Sequence, residues 1–375
     1  MPQKIDRSLD TIGFYTISEQ RAQHVSTLYR RQDPLAFTIV RAELILESQC
    51  NLHCRFCKGL PPISHSRFSV DAVRRILQEW LPGGAQYIHL TGGEPTVYPR
   101  LLDVLKGITA TGAIPCMTSN GVAPFALYRD LIENGLRDIR ISLHAHNARS
   151  YERITGTGHA FKQVMENIRQ LVRLRDQAFP DVYIMINTCV MQETLPDLPR
   201  LLQTLMALQP NDIKPVAIVQ LTGAELKSMQ DYYAHEILPD LLEIVPPTQF
   251  PILRYRLPTL LTTRLRGFPG NSTPATLEAT PHCFLMLDDR CVDAEWYYPC
   301  NIYLREQGPP LGSHQKDDAQ TVAERIWDFV QHHDVRHDPI CRSCCPDVVR
   351  EYNLYVEKLL QNGHSDEPPA RQFIC

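Results

Sequence analysis

The 375-residue chain lacks an excess of charge of either sign, with 38 Lys and Arg against 42 Asp and Glu and a formal net charge of −4. Broad electrostatic binding of nucleic acid needs a basic surplus on one face, so the balance argues against it while leaving room for a local basic pocket. No run approaches the ~20 consecutive apolar residues needed to cross a bilayer, so no membrane partner is expected. Met1 to Asp10 is polar and lacks the apolar core of a signal peptide, which points to a cytoplasmic location. There is no internal repeat. Hydrophobic residues make up 43% and charged residues 21%, the balance of a globular chain and not of a disordered one. At 42.9 kDa the chain exceeds a usual single domain, which suggests two or three domains or one large α/β barrel with an appendage.

Cysteine, by contrast, is abundant. Twelve cysteines are many for a compartment that keeps thiols reduced, so metal binding or catalysis comes before disulfides. They are also grouped, with three at 50–57 and six at 283–345.

The order of elements reads as α/β. Ala36 to Leu46 is rich in β-branched residues and reads as a strand feeding into Cys50. Ser69 to Trp80 reads as a helix, with Ser69 as its cap and Val73, Ile76, Leu77 and Trp80 at helical spacing. Further strands are expected at 87–90, 114–118, 138–143, 182–190 and 215–221. They alternate with helices at 100–111, 125–134, 160–177 and 198–207. This alternation implies βαβ units and a parallel sheet. Six strands are fewer than the eight of a closed barrel, so the expected fold is a partial (β/α)6 TIM-type barrel with a small cysteine-rich C-terminal domain. Proline becomes dense after about 225. We expect a leader segment at 1–35, the barrel at 36–225, a connecting segment at 226–280, the cysteine-rich domain at 281–361 and a loosely ordered tail at 362–375. Polar and Gly-containing sequence recurs at the strand ends, at Cys50, Gly92, Ser119, His144 and Asn187, where parallel α/β folds bind ligands.

Cys50-Asn-Leu-His-Cys54-Arg-Phe-Cys57 places three thiols on one short loop after a strand. A 4Fe–4S cluster needs one ligand per iron, so three thiolates leave one iron open. A zinc site completed by His53 or His65 is the alternative. With Phe56 at the aromatic position, this C-x₃-C-x-aromatic-C pattern resembles the signature of the radical SAM superfamily. Gly92-Gly93-Glu94-Pro95, ending the second expected strand, matches the family's GGEP, and the resemblance covers about 36–221. It implies that S-adenosylmethionine chelates the open iron and is cleaved reductively to a 5′-deoxyadenosyl radical, which abstracts hydrogen from a substrate. It also implies cofactor contacts from Phe56, Gly92, Gly93, Glu94, Pro95, Ser119, Asn120, Ser142, Arg153 and Asn187. Each of these polar residues has a plainer use in turn capping or a solvated helix face.

Sixteen residues separate Cys283 from Cys300, and Cys341-Arg-Ser-Cys344-Cys345 follows. We expect a β-hairpin that brings Cys283 and Cys300 together, with Cys341 and Cys344 as the second pair and Cys345 or Cys291, at the hairpin tip, as alternates. By spacing alone the set suits zinc or a 4Fe–4S cluster equally. The resemblance favours iron, since this half is similar to the twitch appendage, a shortened SPASM domain with one auxiliary 4Fe–4S cluster. It departs from a full SPASM domain because no C-x₅-C-x₃-C continuation follows Cys344.

Cys116 and Cys189 lie on expected strands and read as buried structural thiols. In radical epimerases a free cysteine donates hydrogen to the substrate radical, a role open to Cys189, Cys291 or Cys375. His144 and His146 would face one side at the barrel mouth, and His332-His333 reads as a helix surface.

The expected function is that of a radical SAM oxidoreductase with one auxiliary cluster, served by a reducing partner such as flavodoxin or ferredoxin. Its substrate would be a ribosomally made peptide undergoing crosslinking, epimerisation or excision, or else a small polar metabolite such as an aminocyclitol or sugar. About 38 residues precede the barrel, too few to fold alone as a leader-binding module, so a peptide substrate would call for a separate leader-recognition protein. The rivals are a catalytically silent iron–sulfur or zinc scaffold and a protein that only transfers electrons.

Overall fold

A computed structural model of the chain describes residues 19–37, 39–57, 67–80, 87–218, 221, 223–258, 260–261, 280–345 and 347–361. The barrel strands are β1 (Arg41–Glu47), β2 (Tyr87–Gly92), β3 (Ile114–Ser119), β4 (Asp138–Ser142), β5 (Tyr183–Met191) and β6 (Asp212–Ile218). All neighbouring pairs from β1 to β6 are parallel. The helices between them are α2 (Val70–Arg75), α3 (Leu101–Ala110), α4 (Phe125–Glu133), α5 (Ala148–Thr155), α6 (Ala160–Ala178) and α7 (Leu198–Met206), with α1 (Glu19–Arg31) preceding β1.

Period-2 alternation explains why the strands sit this way. In β1, Ala42, Leu44 and Leu46 point outward into the apolar layer under the helices, joined by Ile88 and Leu90 of β2 and Ile139 and Ile141 of β4. The helices meet that layer with stripes such as Val104, Leu105 and Ile108 of α3 or Val164, Ile168 and Leu171 of α6, all buried. Each such side chain contributes about 1.5–3 kcal/mol by leaving water. The other face of each strand is free for polar residues.

Several expectations need adjustment. The sixth strand begins at Asp212, three residues before the expected start at Pro215. Pro215 lies inside β6, opposite Thr188. It fits there because β6 is the edge of the sheet, where a missing N–H breaks no ladder. The helix begun by Ser69 changes to a wider π-type turn at Ile76–Trp80, and α5 is an additional helix capped by Asn147.

The connecting segment carries α8 (Gly223–Tyr232), α9 (Leu238–Ile244) and α10 (Pro251–Arg256), packed on the barrel core through Met229, Tyr233, Leu241 and Leu253. Asp212 ties α10 to β6, accepting from the N–H groups of Ile252 at 2.9 Å and Leu253 at 3.2 Å. Residues 262–279 and the tail, with Cys375, lie outside the described residues.

The cysteine-rich part extends the barrel sheet. β7 (Asp289–Val292) pairs parallel to β1, and β8 (Trp296–Tyr298) and β9 (Gly312–Ser313) follow antiparallel, so the strand order is β6-β5-β4-β3-β2-β1-β7-β8-β9. Three helices complete this part: α11 (Asn301–Arg305), α12 (Ala319–His332) and α13 (Pro339–Cys344). Then α14 (Asp347–Gln361) packs on α1 of the leader segment. The expected hairpin exists, but its tip is Asp293–Glu295. Cys291 instead sits in β7, opposite Glu43 of β1 and Tyr298 of β8. Its apolar neighbours, Ile45, Tyr298 and Leu304, hold it in the sheet and away from the turn. His333 also differs from its expected exposed setting. It caps α12, stacks on Phe329 with ring centroids 4.0 Å apart and meets Asp338 at 3.1 Å.

Candidate functional site

The loop of Cys50, Cys54 and Cys57 is stitched to two neighbours. The N–H groups of His53 and Arg55 donate to the carbonyls of Thr155 and Ile154 at the end of α5, at 3.1 and 2.9 Å. On the other side, Gly93 N–H donates to Glu47 O at 2.7 Å and Glu94 N–H to Gln49 O at 2.9 Å. This contact explains the glycine pair. A Cβ on Gly92 would lie 2.2 Å from Glu47 O, and one on Gly93 would lie 2.3 Å from Gln49 O. Only glycine lets the end of β2 lie against the backbone that leads into Cys50.

Glu94 is 2% exposed and fully engaged by the protein. Oε1 accepts from Thr96 Oγ1 and Ser119 Oγ, both at 2.7 Å, and Oε2 accepts from Asn120 N–H at 2.7 Å. Burial pushes its pKa up, and these donors oppose that rise. The carboxylate therefore joins the ends of β2 and β3. Asn120 Nδ2 reaches Asn51 Oδ1 at 2.6 Å and Cys50 Sγ at 3.9 Å, while Ser119 also meets the Tyr128 hydroxyl at 2.9 Å. Pro95 starts the short turn that Glu94 caps.

Cys50 and Cys57 are exposed and Cys54 is half-buried. Desolvation, then the neighbouring Cys50 and Cys57, push the Cys54 thiol up to about 12. Such mutual repulsion is what a cationic metal centre relieves on binding thiolates. Beside them the Tyr151 hydroxyl is buried and has no hydrogen-bond partner among the described residues, which leaves a donor for a bound group. Donor set and orphaned hydroxyl both fit an iron–sulfur cluster with a small cofactor. Phe56 stands edge-on to His144, with ring centroids 4.9 Å apart. Burial lowers the His144 pKa to about 4, and its Nδ1 accepts from Cys189 N–H at 3.0 Å. A second, small cleft contains His144, His146, Ser150 and Arg153, and Arg153 donates to Ser150 Oγ at 3.2 Å.

The second group forms by convergence. Cys283 precedes a turn, Cys300 caps α11, and Cys341 and Cys345 lie in and just after α13. Burial raises all four thiols. Cys341 is raised further by Cys345, Cys300 and Cys283, and Cys300 is pushed to about 12 by burial and Cys283. The described thiols that come together are thus Cys283, Cys300, Cys341 and Cys345. The side chain of Cys344, expected as the fourth, lies outside the described residues. Asp338 caps α13 by accepting from Cys341 N–H at 2.7 Å, and the Tyr303 hydroxyl donates to it at 3.1 Å.

One cavity of about 330 Å³ is lined by the four thiols together with Thr91 and Arg305, while Cys50, Cys54 and Cys57 do not line it. Arg305 also reaches Gly92 O at 3.4 Å. Asn187 lines this cavity, and Ser142 pairs opposite Asn187 at the same level. Cys189 does not line it. Residues 45–205 match the family model of the radical SAM superfamily.

Residues 45–205, a little under half of the chain, carry a radical SAM domain. That family uses a 4Fe–4S cluster and S-adenosylmethionine. The GTP 3′,8-cyclase of Clostridium perfringens is 26% identical over 200 residues, 52% of this chain and 60% of that protein. That of Edwardsiella ictaluri is 33% identical over 172 residues, 43% of this chain and 49% of that protein. The chain thus matches about half to 60% of the length of these relatives. Among solved structures, Streptococcus suis SuiB bound to precursor peptide SuiA superposes with a TM-score of 0.58 at 13% identity, covering 88% of this chain and 74% of that one. The anSMEcpe structure with AdoMet and the Kp18Cys peptide gives 0.54 at 14% identity, covering 81% and 86%. At these identities the likeness shows a shared fold, which here includes the part beyond the barrel.

Apart from Asn187, sequence reasoning missed the polar interior. Glu43, His89, Thr118, Arg140, Asn187 and Lys214, one from each barrel strand, all line the cavity. The signal was present as polar residues at i and i+2 within otherwise apolar strands, such as Arg41 and Glu43 or Asp138 and Arg140.

Proposed function

We propose that this radical SAM enzyme modifies a ribosomally made peptide by hydrogen abstraction, with one side chain of the substrate entering the cavity that the second group of thiols lines. The observation that carries this reading is one cavity lined both by polar side chains of all six barrel strands and by Cys283, Cys300, Cys341 and Cys345, with Arg305 on its wall reaching Gly92 O. When bound at Cys50, Cys54 and Cys57, a 4Fe–4S cluster supplies the electron that cleaves S-adenosylmethionine and yields the 5′-deoxyadenosyl radical. The chain's own part is positioning. The Gly92–Gly93 turn holds the cluster loop, Asn120 and Tyr151 face it, and Phe56 and His144 wall the side towards α5. Cys283, Cys300, Cys341 and Cys345 would hold an auxiliary 4Fe–4S cluster, which would supply an electron acceptor beside the substrate. SuiB and anSMEcpe, whose structures hold peptides, support a peptide substrate. The dense polar wall favours a second reading, a small polar metabolite held entirely within the cavity.

Anaerobic reconstitution tests the proposal. About eight irons per chain and dithionite-driven release of 5′-deoxyadenosine are expected. In a Cys50/Cys54/Cys57→Ala variant about four irons remain and release is lost. Stoichiometric zinc with no nucleoside in the wild type would leave a scaffold instead.

A further inference from the structure

The inside of a closed barrel is ordinarily packed with branched apolar side chains. Here the six parallel strands instead line a cavity with polar groups, and their charges are unequal. Arg41, Arg140, Lys214 and Arg305 line it together with Glu43 and Asp289. Arg41 serves both carboxylates, with Nη2 3.0 Å from Glu43 and Nε 3.1 Å from Asp289. The remaining oxygen of Glu43 accepts from the Asn301 amide. Arg140 pairs with Asp138, two residues earlier on β4, at 3.1 Å. Arg305 directs its hydrogen bonds to Asn301 Oδ1 and Gly92 O. With Arg350, five cationic side chains thus line the cavity against two carboxylates, which share Arg41.

His89 is buried among these charges. Burial, then Arg140 and Arg41, push its pKa well down, so it is held neutral. Its Nε2 is 2.9 Å from Thr118 Oγ1, while Nδ1 has no partner among the described residues, and neither has Asn187 Oδ1. Register places Thr118 opposite Arg140 and Asn187 opposite Lys214, so the cationic residues and the underused polar atoms share one side of the wall.

We propose that the substrate enters this cavity by an oxyanion, a carboxylate or phosphate group, held by Arg140 and Lys214 with Asn187 and His89 fixing its orientation. A guanidinium recognises such a group bidentately, and a site shielded from water strengthens the attraction. This inference rests on the reading of the cavity as the substrate site. The cavity, about 330 Å³ including the space beside the four thiols, suits a small anionic group or one acidic residue of a peptide. Anchoring the anion at mid-barrel points the rest of the substrate towards Thr91 and the Gly92 turn.

The test uses the reconstituted wild-type enzyme under anaerobic conditions, titrated calorimetrically at fixed ionic strength with inorganic pyrophosphate and separately with glutarate. At least one probe is expected to bind, roughly tenfold more weakly in Lys214→Gln and in Arg140→Gln. The bound probe is also expected to shield Arg140 of the wild type from phenylglyoxal, read by peptide mass spectrometry, which needs no variant to fold. Pyrophosphate alone identifies phosphate, and glutarate alone identifies a carboxylate. The proposal is overturned if neither probe binds or shields at millimolar concentration, or if affinity is unchanged in both variants. Release of 5′-deoxyadenosine by the wild type without anion binding sinks this proposal alone. Anion binding without nucleoside release keeps the anion site and sinks the radical reading.

Discussion

Cys50, Cys54 and Cys57 lie within eight residues, while Cys283, Cys300, Cys341 and Cys345 come from a turn, a helix cap, a second helix and the residue after it. The first group needs only its loop and the backbone seam to Glu47 and Gln49. The second needs β7 docked on β1 and α13 held by the Asp338 cap. One set is therefore local and the other cooperative, so they should fail in different ways.

The largest difference is expected at the thiols themselves. Cys345→Ser should lower iron from about eight to about four per chain, whereas Cys344→Ser should keep about eight. Iron analysis of the two variants decides the fourth ligand, and the opposite pattern would return that role to Cys344.

Next in size is the junction. Asp288 and Arg21 form a fully buried ion pair between α1 and the chain entering β7, and Asp288 O accepts from Val40 N–H at 2.7 Å. Asp288→Ala leaves a buried guanidinium behind and should cost roughly 3–5 kcal/mol in chemical denaturation. It should release iron from the second group first. Equal loss from both groups would contradict the comparison.

A pH effect of about 3 kcal/mol should appear on the side of the three-cysteine loop. His144 has a folded-state pKa of about 4 against an ordinary 6.5. As pH falls through 6.5 the unfolded chain takes up a proton that the folded chain refuses until about pH 4. Stability from this group is therefore whole above 6.5 and declines towards pH 4. Denaturation of the metal-free protein across that window should show the decline, and His144→Gln should flatten it.

The smallest effect is confined to the seam. Gly93→Ala pushes a Cβ against Gln49 O and Ser48 O, at 2.3 and 2.5 Å before relaxation, and should cost about 1–3 kcal/mol. Affinity for S-adenosylmethionine should weaken while the iron of the second group stays.

Much of this was readable beforehand because it is local. Alternating strand and helix signals gave β2 to β5 within two residues at their ends and β1 with its start five residues early, and the triplet with Gly92-Gly93-Glu94-Pro95 marked the cofactor end. The misplacement of β6 came from treating Pro215 as a starting residue, when an edge position tolerates it inside the strand. Cys291 was misplaced because hairpin length does not reveal that the first arm joins another sheet. Glu94 was read as a cofactor contact, and the structure adds that its carboxylate accepts from Thr96, Ser119 and Asn120.

The amino-acid order by itself determined which segments are strands, that they are parallel, and where three thiols and a glycine pair stand together, since each depends on residues within a few positions. Only the tertiary structure decided that Cys345 joins Cys283, Cys300 and Cys341, that β7 continues the barrel sheet, and that Glu43, His89, Thr118, Arg140, Asn187 and Lys214 wall one cavity. Those facts depend on strand register and on docking between distant elements, which are properties of the whole sheet and of no single stretch of chain.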